Sequence, residues 1–320
     1  MCDTREVIYH YCSLDTFLNI VKNRTIRLSE IGKSNDYMET KWLLNYFEEE
    51  VIRQYNMHPF IESGGLISGL DDIDTLRFLI KNETHKLINK NDQLFYAACF
   101  SEKGDKLSQW RAYADDAKGI SIGFNSYILK DIANIDELMK LKKIIYPNEQ
   151  VPNEISEFSK SFLVNIYSAL QNRDVNGIFH NDYSSSLFIM LSSSLLFQNS
   201  IFFKNPAFEE EEEWRLVLDD ELTKDGTDWG DWYDREAEEP LVYESFGKCF
   251  PKGLQFKCSN DNLISFLDLS FKGFEDNLIS NIFIGPKSKV DEDDLYQLLS
   301  YYGYQQEKEI KIEKSKSTYR

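Results

Sequence analysis

Two glutamates and an arginine, each two residues from the next, have the types and spacing that most directly suggest catalysis. Glu211, Glu213 and Arg215 follow two further glutamates and lead into an aromatic and aliphatic run. Residues two apart on a strand share a face, so this pattern predicts two neighbouring carboxylates beside a guanidinium. Entry into an apolar strand predicts partial burial of Glu213 and a raised pKa. The group suits acid/base work or binding of sugar hydroxyls, and an ion pair of Arg215 that only stabilises the strand end fits the spacing equally well.

A histidine in a predicted early strand is the second candidate. His10 is followed three residues later by Ser13, where the strand gives way to a predicted helix that Ser13 can cap. Strand alternation puts His10 and Cys12 on one face and Tyr9 and Tyr11 on the other. An imidazole there can do acid/base chemistry or bind a ligand. Taken alone, the cluster is more typical of a core histidine bonded to a backbone carbonyl.

An aromatic pair three residues apart is the third candidate. Trp110 and Tyr113 fall in a segment, 107–114, that is predicted as a short helix or structured loop. In a helical turn, residues three apart lie on one face. Two such rings can form a wall for a planar ligand, although core packing more often explains this spacing.

The elements that would position these residues are short strands and helices without regular βαβ alternation. Strands are predicted at 7–12, 25–29, 94–101, 119–124, 214–218, 241–245, 263–269, 282–284 and near 310, and helices at 14–23, 37–55, 72–90 and 291–302. This order favours an α+β fold with mixed or antiparallel sheets. No linker or repeat divides the sequence, so we predict one domain over 1–320 with a mainly helical insertion at about 150–203.

Composition narrows the class of protein. The 320 residues include 36 basic and 54 acidic ones, a formal charge of −18, which argues against a protein that coats nucleic acid or anionic membrane. The five cysteines form no CxxC pair, which favours a reducing cytoplasm over a disulfide framework. An uncharged stretch at 183–203 contains seven serines, so it is interpreted as a buried helix and not as a membrane span. We therefore expect a cytoplasmic protein without a membrane partner.

Several common catalytic motifs are absent from the sequence. It contains no GxxxxGK[ST], GxGxxG, HExxH or GxSxG pattern, and its four histidines are scattered. The sequence therefore does not favour a classical kinase, a Rossmann dehydrogenase, a zinc enzyme or a serine hydrolase. No metal site is predicted. A metal-dependent nuclease that uses Asp36, Glu39 and Glu213 stays as a third alternative without a recognisable metal spacing.

Six motifs, in order, resemble a bacterial family catalogued as domain of unknown function 2971. They are YHYCS at 9–13, NDYME at 35–39, CFSE at 99–102, WRAYA at 110–114 with KGISIGF at 118–124, EEEWRLV at 211–217 and IGPKS at 284–288. The resemblance extends over about residues 7–320. The family's name assigns no function.

A more distant resemblance, to mono-ADP-ribosyltransferases, implies a chemistry. That family combines an early histidine strand, middle aromatic residues and a late E-x-E strand, and the resemblance implies the same core here with NAD as substrate. The adenosine ribose would bind His10 and Ser13, and the nicotinamide would pack on Trp110 or Tyr113.

The remaining roles are implied by the same resemblance. Glu213 would hold the 2′-hydroxyl of the nicotinamide ribose, and Glu211 would orient or deprotonate the acceptor. Asn35 and Arg215 complete the expected NAD contacts. Cleavage of the nicotinamide glycosidic bond builds an oxocarbenium ion, which a well-placed carboxylate stabilises.

The resulting hypothesis is an NAD-dependent ADP-ribosyltransferase or NAD glycohydrolase, acting on a protein or nucleic-acid acceptor. A toxin or anti-phage effector, with a phage-derived or antitoxin partner, is the expected setting. The alternative is a non-enzymatic sensor that binds a nucleotide or a phage protein, with Trp110 and Tyr113 stacked on the ligand. The transferase hypothesis requires His10 and Glu213 to line one cleft.

Overall fold

A mixed β-sheet dominates the computed structural model of this protein. The structure describes residues 7–33, 42–57, 74, 77–78, 80–81, 95–135, 139–147, 153–171, 199–219, 248–259, 262–274, 277–304 and 310–319. The strands are β1 (Val7–Cys12), β2 (Thr25–Glu30), β3 (Phe95–Ser101), β4 (Ile120–Asn125), β5 (Met139–Lys143), β6 (Glu213–Asp219), β7 (Leu254–Ser259), β8 (Asn262–Ser270), β9 (Ile279–Ile284) and β10 (Lys311–Lys314). The helices are α1 (Leu14–Asn23), α2 (Trp42–Met57), α3 (Leu107–Tyr113), α4 (Ser126–Ala133), α5 (Asn153–Gln171) and α6 (Glu292–Tyr301). The predicted α+β class with a mixed sheet is confirmed.

Two compact units divide the chain. One comprises 1–33, 94–144 and 209–320 and holds the sheet, and the other comprises 34–93 and 145–208. In the second unit α2 and α5 share an apolar cluster that includes Leu43, Phe47 and Phe162. The buried Glu50 carboxylate in α2 accepts hydrogen bonds from Arg53 and Gln54, which satisfies its charge.

The sheet branches at β3. The order of neighbours is β10-β9-β4-β1-β3-β2-β8-β7, while β6 pairs with β3 and β5 pairs with β6. Along one edge, β6 pairs with the whole of β3, from Phe95 to Ser101. The opposite edge of β3 is shared, because β1 pairs at Ser101 and β2 pairs at Tyr96 and Ala97. β1 and β2 therefore pair with opposite ends of the same edge of β3.

The strand β1 and the helix α1 form where the sequence pattern predicts them. The predicted strand 7–12 is β1, and Ser13 caps α1 by accepting a hydrogen bond from the Thr16 amide. The apolar positions Phe17, Ile20 and Val21 of α1 are buried in the main core. A capped amphipathic helix between two strands is thus confirmed.

Two glycines allow backbone segments to approach closely beside α3. A Cβ atom at Gly119 would overlap the Cys12 carbonyl oxygen, and one at Gly285 would overlap the Ala117 carbonyl oxygen. The Gly285 amide donates to the Gly119 carbonyl at 2.9 Å. The KGI and IGP motifs of the sequence are therefore packed against each other through their backbones.

Other predicted elements are partly or wholly outside the described residues. The helix 291–302 is confirmed as α6 with a capping box at Asp291, and α5 occupies part of the predicted helical segment. Residues 172–198, most of 72–90 and the predicted strand 241–245 lie outside the described ranges. The residue patterns did not predict β5, β7 or α4. Within the described part of the chain, no helix combines the length and apolar character that a membrane span requires.

Candidate functional site

A buried ion pair occupies the start of β6. Glu213 is 4% exposed and Arg215 is 0% exposed. The Arg215 Nε donates to Glu213 Oε1 at 2.7 Å, and Nη2 donates to Oε2 at 3.2 Å. This two-point contact gives each charge a partner away from water and fixes the orientation of the carboxylate.

The two glutamates reach the same side of the sheet in different ways. Glu211 ends a 3₁₀ turn, Pro206–Glu211, and Glu212 has a positive φ of 44°, so the expectation that Glu211 and Glu213 share a face of one strand is wrong, since Glu211 precedes β6. The Glu211 carbonyl accepts from Ser101 Oγ at 2.8 Å, and its carboxylate accepts from the Tyr113 hydroxyl at 2.9 Å. Because Ser101 pairs with Glu213 in the sheet, the turn brings Glu211 to the face on which Glu213 lies, and Glu211 there contacts α3 through Tyr113.

The two aromatic residues of α3 do not form a joint wall. Trp110 is fully buried and meets the Tyr11 ring edge-on, with centroids 4.9 Å apart. Its Nε1 donates to Asp105 Oδ1 at 2.7 Å. Tyr113 is 43% exposed and points to Glu211. The predicted stacking of Trp110 on a ligand is therefore wrong, since its ring is already enclosed by protein.

Tyr11 is a residue that the sequence analysis overlooked. Its hydroxyl donates to the Lys103 carbonyl at 2.6 Å and accepts from the Lys106 amide at 3.0 Å. Burial raises the pKa of Tyr11, so the phenol stays protonated at neutral pH. The hydroxyl thereby fixes the loop that leads into α3. Its place between His10 and Cys12 in a strand gives no signal for this role.

His10 and Glu213 point to opposite faces of the sheet. Tyr9 pairs with Ser101 and Ser101 pairs with Glu213, so these three residues share a face. His10 is the next residue along β1 and points the other way. There its ring lies 5.8 Å from the Phe100 ring, on the side where the main apolar core is packed.

The protonation state of the His10 ring follows from its burial and from its hydrogen bond to the Cys99 carbonyl. Its Nδ1 lies 3.0 Å from the Cys99 carbonyl oxygen, and because a carbonyl can only accept, Nδ1 carries the proton. Burial lowers the pKa of His10, so the ring is neutral at pH 7 with a lone pair on Nε2. Ser13 is used as the cap of α1. The strand registers therefore do not bring His10 to the carboxylate pair, and Ser13 lies beyond the end of β1.

Two lysines lie near one carboxylate of the glutamate run. Lys103 Nζ lies 3.3 Å and Lys106 Nζ 3.9 Å from the Glu212 carboxylate, and Lys106 also bonds the Glu210 carbonyl. Glu209 is exposed to solvent. The acidic run is thus a set of individually paired or solvated charges and not one repelling block.

The opposite face of β6 carries a different polar contact. Trp214 Nε1 donates to Glu102 Oε1 at 2.9 Å, and Lys143 Nζ lies 2.7 Å from the same oxygen. Burial by itself would raise the pKa of Glu102, but the hydrogen bonds from Lys143 and Trp214 together hold it below its ordinary value. Glu102 is therefore ionised at neutral pH.

The remaining predicted site residues cannot be compared with the structure. Asn35, Asp36 and Glu39 lie outside the described residues. Among the residues that are described, no group of three or more histidine, cysteine, aspartate or glutamate side chains could hold a metal ion.

Taken together, the fold and the site define an α+β protein with a carboxylate–guanidinium pair at the start of a central strand. A family model described as "Protein of unknown function (DUF2971)" matches residues 109–216. The matched segment runs from α3 to β6, so it contains Trp110, Tyr113, Glu211, Glu213 and Arg215. No curated protein and no solved structure matches the chain.

Proposed function

We propose that the protein cleaves the bond between nicotinamide and ribose in NAD and transfers ADP-ribose to a macromolecular acceptor or to water. One observation carries the proposal: Glu211, held by the Tyr113 hydroxyl, and Glu213 reach the same side of the sheet. A reaction that builds positive charge on a ribose needs a carboxylate of fixed orientation. Arg215 supplies that orientation in the unliganded protein.

The two carboxylates have different roles in this proposal. Glu213, whose carboxylate Arg215 holds in place, faces the ribose. Glu211, which is half-buried and held by Tyr113, orients the acceptor or takes its proton. The requirement that His10 and Glu213 line one cleft is not met, because their side chains point to opposite faces of the sheet. The proposal therefore rests on the carboxylate side alone and gives no part to His10 or to Ser13, which caps α1. An intracellular toxin or anti-phage effector is the setting we propose for such an enzyme.

A second candidate function is a non-enzymatic module that binds a nucleotide or a phage protein. The observation that favours it is the closed contact between Glu213 and Arg215, in which the glutamate side chain is only 6% exposed. Such a pair is typical of a structural ion pair at a strand end. In this case the half-exposed Tyr113 would provide the ring on which a ligand stacks.

The two candidates are separated by measuring binding and cleavage of NAD independently. Wild type, Glu213→Gln and the control Glu209→Gln are compared by calorimetry with NAD and by chromatographic detection of nicotinamide, with protein, DNA and RNA acceptors. Glu209 is an exposed member of the same run, so its variant controls for the loss of one charge. The transferase proposal expects nicotinamide release to fall by about 10²-fold or more in Glu213→Gln, with NAD binding retained.

Each other result has a defined meaning. Binding of NAD without release by any variant supports the binding module and overturns the enzyme. Equal release by wild type and Glu213→Gln excludes Glu213 as the catalytic carboxylate. If NAD is neither bound nor cleaved, the enzyme is excluded and the module must recognise another ligand.

A further inference from the structure

The segment that follows β10 lies across the loops on either side of α3. We name residues 315–319 the strap. Its first residue is tied to the sheet, because the Ser315 amide donates to the Ile284 carbonyl at 2.8 Å. Asp105, in the loop before α3, accepts from the Ser315 hydroxyl and from the Lys316 amide, the latter at 2.8 Å. The same carboxylate accepts from Trp110, so one end of the strap is joined directly to α3.

The other end of the strap is held by Asp116. The Tyr319 hydroxyl donates to Asp116 Oδ1 at 2.8 Å, and Lys287 Nζ lies 2.6 Å from Asp116 Oδ2. The Tyr319 ring lies between two cations, with the Arg111 guanidinium carbon 5.6 Å and the Lys287 nitrogen 4.6 Å from its centroid. Its ring also packs against the cluster of Tyr11 and Trp110. One side chain thus combines a charge-assisted hydrogen bond, two cation–π contacts and apolar packing.

The residue that Tyr319 holds belongs to an unusual turn. Asp115, Asp116 and Ala117 have consecutive positive φ values of 48°, 49° and 70°. Residues other than glycine rarely adopt this region, and three in succession persist only when their surroundings hold them. Backbone hydrogen bonds help to hold them, among them Ala117 N to the Trp110 carbonyl, Gly119 N to the Ala114 carbonyl and Lys287 N to the Ala117 carbonyl, each 2.9 Å.

We propose that the strap is a latch that keeps this turn in its left-handed form and so positions Tyr113 against Glu211. Tyr113 is the last residue of α3, two residues before the turn, and α3 has only seven residues. Release of Tyr319 would remove the hydroxyl contact that holds Asp116, and the turn could then relax to ordinary φ values. The end of α3 would shift with it and the Tyr113–Glu211 hydrogen bond would be lost. Tyr319 and Asp116 are in this view positioning residues for the acidic pair.

Hydrogen–deuterium exchange tests the latch without any assumption about catalysis. Exchange of peptides from 107–119 is compared in wild type, Tyr319→Ala, Tyr319→Phe and Thr318→Ala. Thr318 is the exposed neighbour of Tyr319 and serves as the matched control. We expect amides of 107–119 to exchange about tenfold faster in Tyr319→Ala and about fivefold faster in Tyr319→Phe, which keeps the ring but loses one hydrogen bond. Thr318→Ala is expected to match wild type.

A second pair of variants tests the carboxylate that receives the hydroxyl. Asp116→Asn keeps a residue that tolerates positive φ and removes the charge, while Asp115→Asn makes the same change one residue earlier. Faster exchange in Asp116→Asn but not in Asp115→Asn supports the latch. Unchanged exchange of 107–119 in Tyr319→Ala overturns it. A uniform increase over all peptides, including those from α6, also overturns it, because Tyr319 would then contribute only to global stability.

Discussion

The two faces of β6 show two ways of burying a strand. On one face Glu213 and Arg215 are buried as a bidentate ion pair. On the other face Trp214, Leu216 and Leu218 belong to the main apolar core. Both faces are closed to water, yet one depends on charge compensation and the other on packing.

The comparison teaches that equal burial does not mean equal response to substitution. Removing one member of a buried ion pair leaves the other charge unpaired, and this cost disappears when the second charge is removed too. Removing apolar volume leaves a cavity that no change of charge can fill. Substitutions on the two faces are therefore expected to lower stability by similar amounts. They should differ in whether a second substitution restores that stability.

The largest effect is expected from the loss of the buried guanidinium. Arg215→Met keeps an unbranched side chain but leaves the Glu213 carboxylate without its main partner. We expect the free energy of unfolding to fall by about 3–5 kcal/mol at pH 7, measured by urea denaturation. The double variant Glu213→Gln with Arg215→Met should recover most of that loss. A double variant as unstable as Arg215→Met alone would show that packing, and not charge, dominates this face.

The next effect is expected on the apolar face. Leu216 is fully buried, and Leu216→Ala removes three carbon atoms from the core. We expect a loss of about 3 kcal/mol in the same urea experiment. Adding Glu213→Gln to this variant should give no recovery, because the two side chains are on opposite faces. Recovery on addition of Glu213→Gln would mean that the two faces are energetically coupled.

The local elements of this fold were predictable because their patterns are local. β1, the Ser13 cap and α1 follow from residue types within twenty positions of each other. β5, by contrast, is a five-residue strand in which Met139 and Leu141 alternate with lysines. So short and basic a pattern gives a weak strand signal.

The candidate site depended on facts that no local pattern contains. The left-handed conformation of Glu212 removes Glu211 from the strand, and glutamate carries no signal for positive φ, unlike glycine or asparagine. The relation of His10 to Glu213 depends on the register of β1 with β3 and of β3 with β6. Each of those registers joins residues about 90 to 110 positions apart, beyond the reach of residue types and spacing.

A smaller effect is expected from the polar contact on the apolar face. Trp214→Phe removes the indole donor to Glu102, which keeps its contact with Lys143. We expect a loss of about 1–2 kcal/mol at pH 7, since water can replace part of the contact at this partly exposed carboxylate. Urea denaturation of Trp214→Phe and wild type at several pH values measures this loss in the free energy of unfolding.

The pH dependence of this loss has a definite sign. The pKa of Glu102 is below its ordinary value of 4.5 in the folded protein, so its ionised form stabilises the fold above pH 4.5. That contribution is lost as the pH falls through the folded value. The difference between wild type and Trp214→Phe should therefore shrink below pH 4.5. A constant difference down to pH 3 would attribute the loss to packing of the ring.

The smallest effect on stability is expected at His10. This histidine was predicted to belong to the site, but it lies on the opposite face of the sheet from Glu213. Its pKa is lowered by burial, so the folded protein disfavours the charged ring, whereas the unfolded chain takes up a proton near its ordinary value of 6.5. Stability should therefore fall as the pH drops below 6.5, by no more than about 1.4 kcal/mol for each pH unit.

His10→Asn keeps an N–H donor for the Cys99 carbonyl and cannot titrate, so the difference in stability between pH 7.5 and 5.5 should be smaller in this variant than in wild type. Urea denaturation at the two pH values measures this difference, and an NMR titration of the His10 ring gives its pKa directly. A ring that titrates above 6.5 would contradict burial as the dominant influence, since the Cys99 carbonyl contact, which raises the pKa, would then outweigh it.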